Sequence, residues 1–284
     1  MQVFLLGYPV AHSLSAVMHN AAFAALGLSG WRYDLLETPP EQLAVHVARL
    51  RAPDVAGANV TIPHKQAVLT HLDALEPGTQ AIGAVNTIFK REGRLVGENT
   101  DWLGFLADLE HHGVEVNAAT RALVLGAGGS ARAVVYALIQ RGAQVRVWNR
   151  TLARAQTLVS AFATLNANVE IAAQLDTDQA GWATLVVNCT SVGMWPHVDE
   201  TPWPLSLDFP KQAVLYDLVY RPRVTRLMQQ AQAAGARAIG GLGMLAEQGA
   251  AAFALWTGVP APSVAPILRQ ALHAHLEEDR ALKR

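Results

Sequence analysis

Short apolar runs alternate with longer amphipathic stretches along the whole chain, and this alternation constrains the fold more than any single motif. Each short run reads as a buried strand and the stretch after it as a helix lying on the sheet, so the chain is built of βα units. In the first third, residues 3–6, 31–36 and 55–60 read as strands. Helices are expected over 15–26, from Pro39-Pro40 to 50, and from Pro63, where a proline suits a first turn. Residues 84–89 and 95–96 form a hairpin about Gly93, ahead of a helix over 101–111. A second series then begins, with strands over 122–125, 144–148, 185–188 and 214–219 and helices over 130–140, 152–162 and 224–234. Gly240, Gly241 and Gly243 interrupt it, and helices over 244–256 and 264–276 follow.

A chain of 284 residues divided by roughly 150 per domain gives two domains. Hydrophobic residues make up 51% and charged ones 16%, a composition that packs a core and rules out a disordered chain. The 22 Lys+Arg against 23 Asp+Glu leave a net charge of −1, with no basic excess for a nucleic-acid backbone. The single cysteine, Cys189, forms no intrachain disulfide and no Cys-rich metal site, which suits a reducing compartment. No apolar run approaches the ~20 residues of a membrane span, and the first residues do not read as a signal peptide. The expectation is a soluble protein with no nucleic-acid or membrane partner.

Gly126-Ala127-Gly128-Gly129-Ser130-Ala131 follows one of these strands and opens a helix, matching G-x-G-x-x-A. Gly126 gives the tight turn, Gly128 lets backbone approach a pyrophosphate, and Ala131 permits close helix–strand packing. The helix N-terminus adds partial positive charge and unsatisfied donors. An NAD site would offer Asp or Glu about 20 residues on, for the ribose 2′-hydroxyl. This chain instead has Asn149-Arg150-Thr151 and then Arg154, two guanidinium groups and a hydroxyl suited to a 2′-phosphate. The expected coenzyme is NADP(H).

In the first domain, small polar residues sit where strands end, the ligand edge of open α/β sheets. Ser13 and Ser15 lie between the first strand and helix, as a carboxylate-binding corner or as ordinary N-caps. Asn59, Thr61 and Lys65 follow the third strand, and Asn86 precedes Thr87 in the hairpin. Asp101 either caps the helix it opens or orients Lys65. One lysine, one aspartate, several amides and hydroxyls and a hydride carrier suit a polyol substrate. His111-His112 and His273-x-His275 lie on helices without metal-ligand spacing, and no metal is expected.

Taken in order, these segments resemble the shikimate dehydrogenase family. The matching stretches also include Gly83 with 84–87, Asn99-Thr100, residues 188–194, Asp217 to Pro222 and 241–248. Ala16 and Cys189 depart from the family, which usually has Pro and Ala there. The resemblance implies a substrate-binding catalytic domain over 1–103, a Rossmann-like NADP domain over 104–240, and C-terminal helices over 241–284 returning to the first domain. It also implies NADPH-dependent reduction of 3-dehydroshikimate to shikimate in the cytoplasm, by a monomer or homodimer. Lys65 and Asp101 would be catalytic, with Lys65 as acid/base. Ser13 and Ser15 would hold the substrate carboxylate; Asn59, Thr61, Asn86, Tyr220 and Gln248 would contact the rest. NADP would lie on Gly126, Ala127, Gly128, Gly129, Ser130, Asn149, Arg150, Thr151, Arg154, Thr190, Leu218, Gly241 and Met244, across a closing cleft from the substrate.

A quinate/shikimate or amino-shikimate dehydrogenase, and a non-catalytic NADP-binding regulator, are the alternatives. The coenzyme assignment is checked by comparing KM values: NADP is expected to have the lower one, and an equal or lower KM for NAD would refute it.

Overall fold

A computed structural model of the chain describes residues 1–165 and 168–282. Two compact units make up the chain: Met1–Gly104 with Leu245–Arg284, and Phe105–Met244.

The first unit holds strands β1 (Gln2–Gly7), β2 (Arg32–Glu37), β3 (Val55–Val60), β4 (Ala74–Leu75), β5 (Thr87–Arg91) and β6 (Arg94–Glu98). They form one sheet in the order β2-β1-β3-β5-β6-β4. β1 runs parallel to β2 and β3, whereas β5 runs antiparallel to both β3 and β6. Helices α1 (Ser15–Ala25), α2 (Leu43–Arg49) and α3 (Pro77–Ile82) accompany the strands, and α4 (Asp101–His111) follows β6. Every residue of β3 is buried, as expected for a central strand covered on both faces. Phe4, Leu6, Val47, Val60, Ile88 and Leu95 belong to one core cluster here. β2 is an edge strand, and Asn20 of α1 covers part of that edge: its side chain both donates to Tyr33 O and accepts from Tyr33 N.

The second unit holds β7 (Arg121–Leu125), β8 (Gln144–Trp148), β9 (Val169–Ile171), β10 (Leu185–Asn188), β11 (Val214–Asp217) and β12 (Arg237–Gly240). Helices α5 (Gly129–Gln140), α6 (Leu152–Phe162), α7 (Thr177–Trp182) and α8 (Arg226–Ala233) alternate with them. All strands are parallel, in the order β12-β11-β10-β7-β8-β9. Order reverses between β7 and β10, the switch point at which doubly wound sheets bind dinucleotides.

The tail forms α9 (Leu242–Thr257) and α10 (Ala261–Leu282), with α10 packed on α1. Gly57 lets α9 close on β3, because a Cβ there would stand 2.1 Å from Ile88 O and 2.7 Å from Trp256 Nε1. The Trp256 indole donates to Ile88 O at 3.0 Å in that space. Among the described residues no helix is long and apolar enough to cross a membrane.

One expected element does not form. Instead of a helix from Pro63, residues 61–66 make turns, with His64 N donating to Thr61 O, and only a 3-10 segment follows at Ala67–His71. Local proline preference gives way there because Val85 N–H takes the Lys65 carbonyl at 2.7 Å, pinning the loop to the sheet. The short β4, α3, β9, α7 and β12 carry too few residues to show a period in the sequence.

His19 lies wholly inside the first unit, and among the described residues neither ring nitrogen has a hydrogen-bond partner. Its ring stacks on Tyr33 (centroids 4.5 Å apart, 13° between planes) and meets Trp256 edge-on at 5.4 Å. Burial lowers its pKa from 6.5 to about 3. Between those values the unfolded chain takes up a proton that the folded chain refuses, so this group's contribution is intact above pH 6.5 and is lost as pH falls toward 3. The stability advantage of His19→Leu over the wild type is expected to grow by about 1.4 kcal/mol per pH unit from pH 6 to pH 4. Parallel urea curves for the two proteins, showing no pH-dependent divergence, would contradict this.

Candidate active site

Register brings the polar residues of the first unit to one edge. Asn59, near the C-terminal end of β3, stands opposite Thr87 at the start of β5, and Thr87 stands opposite Glu98 at the end of β6. Because β5 runs antiparallel to both β3 and β6, the segment before it (Asn86) and the segment after β6 (Asn99 to Asp101) emerge beside the loop after β3. That loop carries Lys65.

Lys65 Nζ lies 2.6 Å from Asp101 Oδ2, and only 12% and 7% of the two side chains is exposed. Asn86 is the hub behind the pair. Its Nδ2 donates to Asp101 Oδ1 (2.8 Å), Thr100 Oγ1 (2.9 Å) and Gln248 Oε1 (3.1 Å), while its Oδ1 accepts from Thr100 N at 2.7 Å. Thr87 and Thr100 hydroxyls complete the shell. Asn59 Nδ2 donates to Asn86 O and Thr87 Oγ1, and the Tyr33 hydroxyl donates to Asn59 Oδ1 at 2.8 Å. Gln248 reaches the network from α9, where Gly104 makes room: a Cβ there would stand 2.6 Å from Gln248 N.

Asp101 does not use its carboxylate as a cap, since both oxygens serve Lys65 and Asn86. Asn99 Oδ1 accepts from Asp101 N in that role. Ser13 Oγ donates to Ser15 Oγ at 3.1 Å and accepts from Ser15 N, the first N–H of α1, at 3.2 Å. The serines therefore form a hydroxyl pair at the mouth of α1. Thr61 stands at the end of the β1–β3 pairing, its N–H donating to Leu6 O.

In the second unit the loops after β7, β8, β10, β11 and β12 leave from the same sheet edge. Gly126 adopts φ +108°, and a Cβ there would press at 3.2 Å on Cys189 and Thr190; both the conformation and the space demand glycine. Gly128 caps α5 with no side-chain bond and opens on free space, and Ala127 to Ser130 continue the turn. The N–H groups and positive potential of the α5 N-terminus are of the kind that suits an anion. Asn149 turns back on Thr151 O, while Arg150, Thr151 and Arg154 are exposed and neither arginine has an ion pair among the described residues. The β8 end offers no carboxylate, so this edge fits a 2′-phosphorylated dinucleotide. Asn188 and Asp217, both fully buried, shape the neighbouring loops. Asn188 holds Thr190 through its Oδ1 and donates to Asp217 Oδ1 at 2.8 Å, and Thr225 donates to Asp217 Oδ2 at 2.6 Å. Desolvation raises the Asp217 pKa against these hydrogen bonds. Leu218 approaches Gly241 closely, Met244 is buried, and Tyr220 is half-buried, its phenol raised by desolvation.

Three family models match the chain: a shikimate dehydrogenase substrate binding domain over residues 5–88, a shikimate/quinate 5-dehydrogenase model over 108–192, and a shikimate 5'-dehydrogenase C-terminal domain over 241–272. A shikimate dehydrogenase (NADP(+)) of Moorella thermoacetica is 47% identical over 279 residues, covering 96% of this chain and 94% of its own. The chain belongs to the shikimate dehydrogenase family. A second such relative, from Symbiobacterium thermophilum, is 45% identical over the same shares of the two chains. The crystal structure of shikimate 5-dehydrogenase from Thermus thermophilus, in complex with NADP(H) and shikimate, superposes with a TM-score of 0.84. It is 42% identical, and the match covers 95% of this chain and 99% of that one.

In this family member, sequence reasoning named Lys65, Asp101, Asn86 and Gln248 separately, and the fold joins them by hydrogen bonds. It gave no role to Tyr33, Thr100 or Thr225: Tyr33 meets Asn59 from 26 positions away, whereas Thr225 caps α8, a signal that a Thr at a helix start could have given. Asn86→Ala strands several buried partners and is expected to cost about 3 kcal/mol of stability. A denaturant midpoint within error of the wild type would show the hub to be dispensable.

Proposed function

We propose that the protein catalyses the reversible NADPH-dependent reduction of 3-dehydroshikimate to shikimate. The observation that carries this reading is the largely buried Lys65 ammonium set 2.6 Å from Asp101 and backed by Asn86 and Gln248. When bound, NADPH supplies the hydride. Reduction of a ring ketone also needs one proton at the carbonyl oxygen, and Lys65 Nζ is the donor, stabilising negative charge as it develops there. In the reverse direction the amine takes that proton from the alcohol. Asp101 holds the nitrogen in place through their 2.6 Å contact. Ser13 and Ser15, two hydroxyls beside a helix N-terminus, would hold the substrate carboxylate, and Asn59, Thr61, Asn86, Gln248 and Tyr220 the remaining ring substituents. Arg150, Thr151 and Arg154 would hold the 2′-phosphate, the turn from Gly126 to Ser130 the pyrophosphate, and Thr190, Leu218, Gly241 and Met244 the nicotinamide half. Residues 1–103 with the helices over 241–284 form the substrate part of this reading and residues 104–240 the coenzyme part. The enzyme would work in the cytoplasm, as a monomer or a homodimer.

The test follows absorbance of the reduced nicotinamide with shikimate and with quinate, each offered NADP and NAD. Turnover of shikimate with NADP is expected, and its absence would end the proposal. Lys65→Ala should lower kcat by about a hundredfold or more with little change in shikimate KM. A large rise in KM at unchanged kcat would make Lys65 a binding residue instead.

A further inference from the structure

One fully buried acid has no part in the chemistry above. Asp108, on α4, has no solvent exposure, and a carboxylate removed from water has to be met by donors or positive potential. Tyr216, on β11, donates its hydroxyl to Asp108 Oδ2 at 2.7 Å. The Tyr216 ring is held edge-on by Phe105, with centroids 5.1 Å apart at 86°. His112 Nδ1 stands 3.6 Å from Asp108 Oδ1. Backbone also closes on the carboxylate: a Cβ on Gly243 would lie 1.9 Å from Asp108 Oδ1. The carboxylate therefore occupies the space of a side chain at position 243, against the first turn of α9, where N–H groups lack intrahelical acceptors and the helix potential is positive. On its other flank, a Cβ on Gly241 would lie 2.3 Å from Leu218 O, just beyond the strand that carries Tyr216. Residues 241–244 are thus gripped between the Leu218 carbonyl and the Asp108 carboxylate.

We infer that Asp108 is a positioning residue for the coenzyme: through Gly243 it fixes the first turn of α9, and with it Met244, as a preset wall for the nicotinamide half of NADP. The inference rests on the coenzyme reading proposed above. Asp108 itself touches the α9 backbone and acts through it.

Titration of the full chain with NADP⁺, and separately with adenosine 2′,5′-bisphosphate, tests this. The second ligand keeps the 2′-phosphate and lacks the nicotinamide. Asp108→Asn is expected to raise the Kd for NADP⁺ about tenfold and Tyr216→Phe about threefold, with adenosine 2′,5′-bisphosphate binding within twofold of the wild type. Shikimate KM should stay unchanged while kcat falls. Equal weakening of both ligands would make Asp108 a general structural residue, and unchanged NADP⁺ affinity in a folded variant would likewise overturn the inference. Tyr216→Phe, which removes one oxygen, decides the matter where Asp108→Asn does not fold. A wild-type chain that fails to bind NADP⁺ overturns the coenzyme reading itself, whereas wild-type binding with unaffected variants overturns only the role of Asp108.

Discussion

Lys65 Nζ and Asp101 Oδ2 are opposite charges held 2.6 Å apart with little exposure to water, and the hydrogen bonding of the first unit is organised around keeping them so. Breaking a buried pair by removing one member costs about 3–5 kcal/mol, because the other charge is left without compensation. The pair is retained here because each remaining polar group has a partner. Asn86 reaches Asp101, Thr100 and Gln248 at once, and Asn59 ties Asn86 to Tyr33. A chain of amides and hydroxyls this complete fixes side-chain orientation, which proton transfer to a defined oxygen requires.

Glycine supplies the other recurring constraint, and in each instance the reason is space. Gly57 admits the Trp256 indole to the sheet, Gly104 admits the backbone of Gln248, and Gly243 admits the Asp108 carboxylate. Gly126, unlike those three, also adopts a positive φ, and it stands at the turn between β7 and α5, where a pyrophosphate would lie. In both units, then, the positions that set the site's geometry are those where a methyl group would collide with backbone or with a buried polar group.

Much of this was legible in the order of residues. The long periodic elements, from β1 and α1 through α5, β8 and α9, follow from hydrophobic spacing, and the coenzyme turn follows from glycine placement after a strand. The loop after β3 was not, because a proline that favours a helix start is outvoted by hydrogen bonds to Thr61 O and from Val85 N. Strands such as β4, β9 and β12 were missed because they are short and only partly buried, unlike the equally short but apolar β10.

Residue types and their order alone determined the class of fold, the doubly wound coenzyme unit, the preference for a 2′-phosphate and the set of polar residues near strand ends. Those properties are local: each depends on a turn, a helix start or a run of buried side chains. What only tertiary structure decided is which of those polar residues meet. Asn86 and Gln248, 162 positions apart, bond to one another, and Tyr216 finds Asp108 across 108. Such pairings depend on strand direction and on helices returning to distant sheets, and no spacing along a chain encodes them.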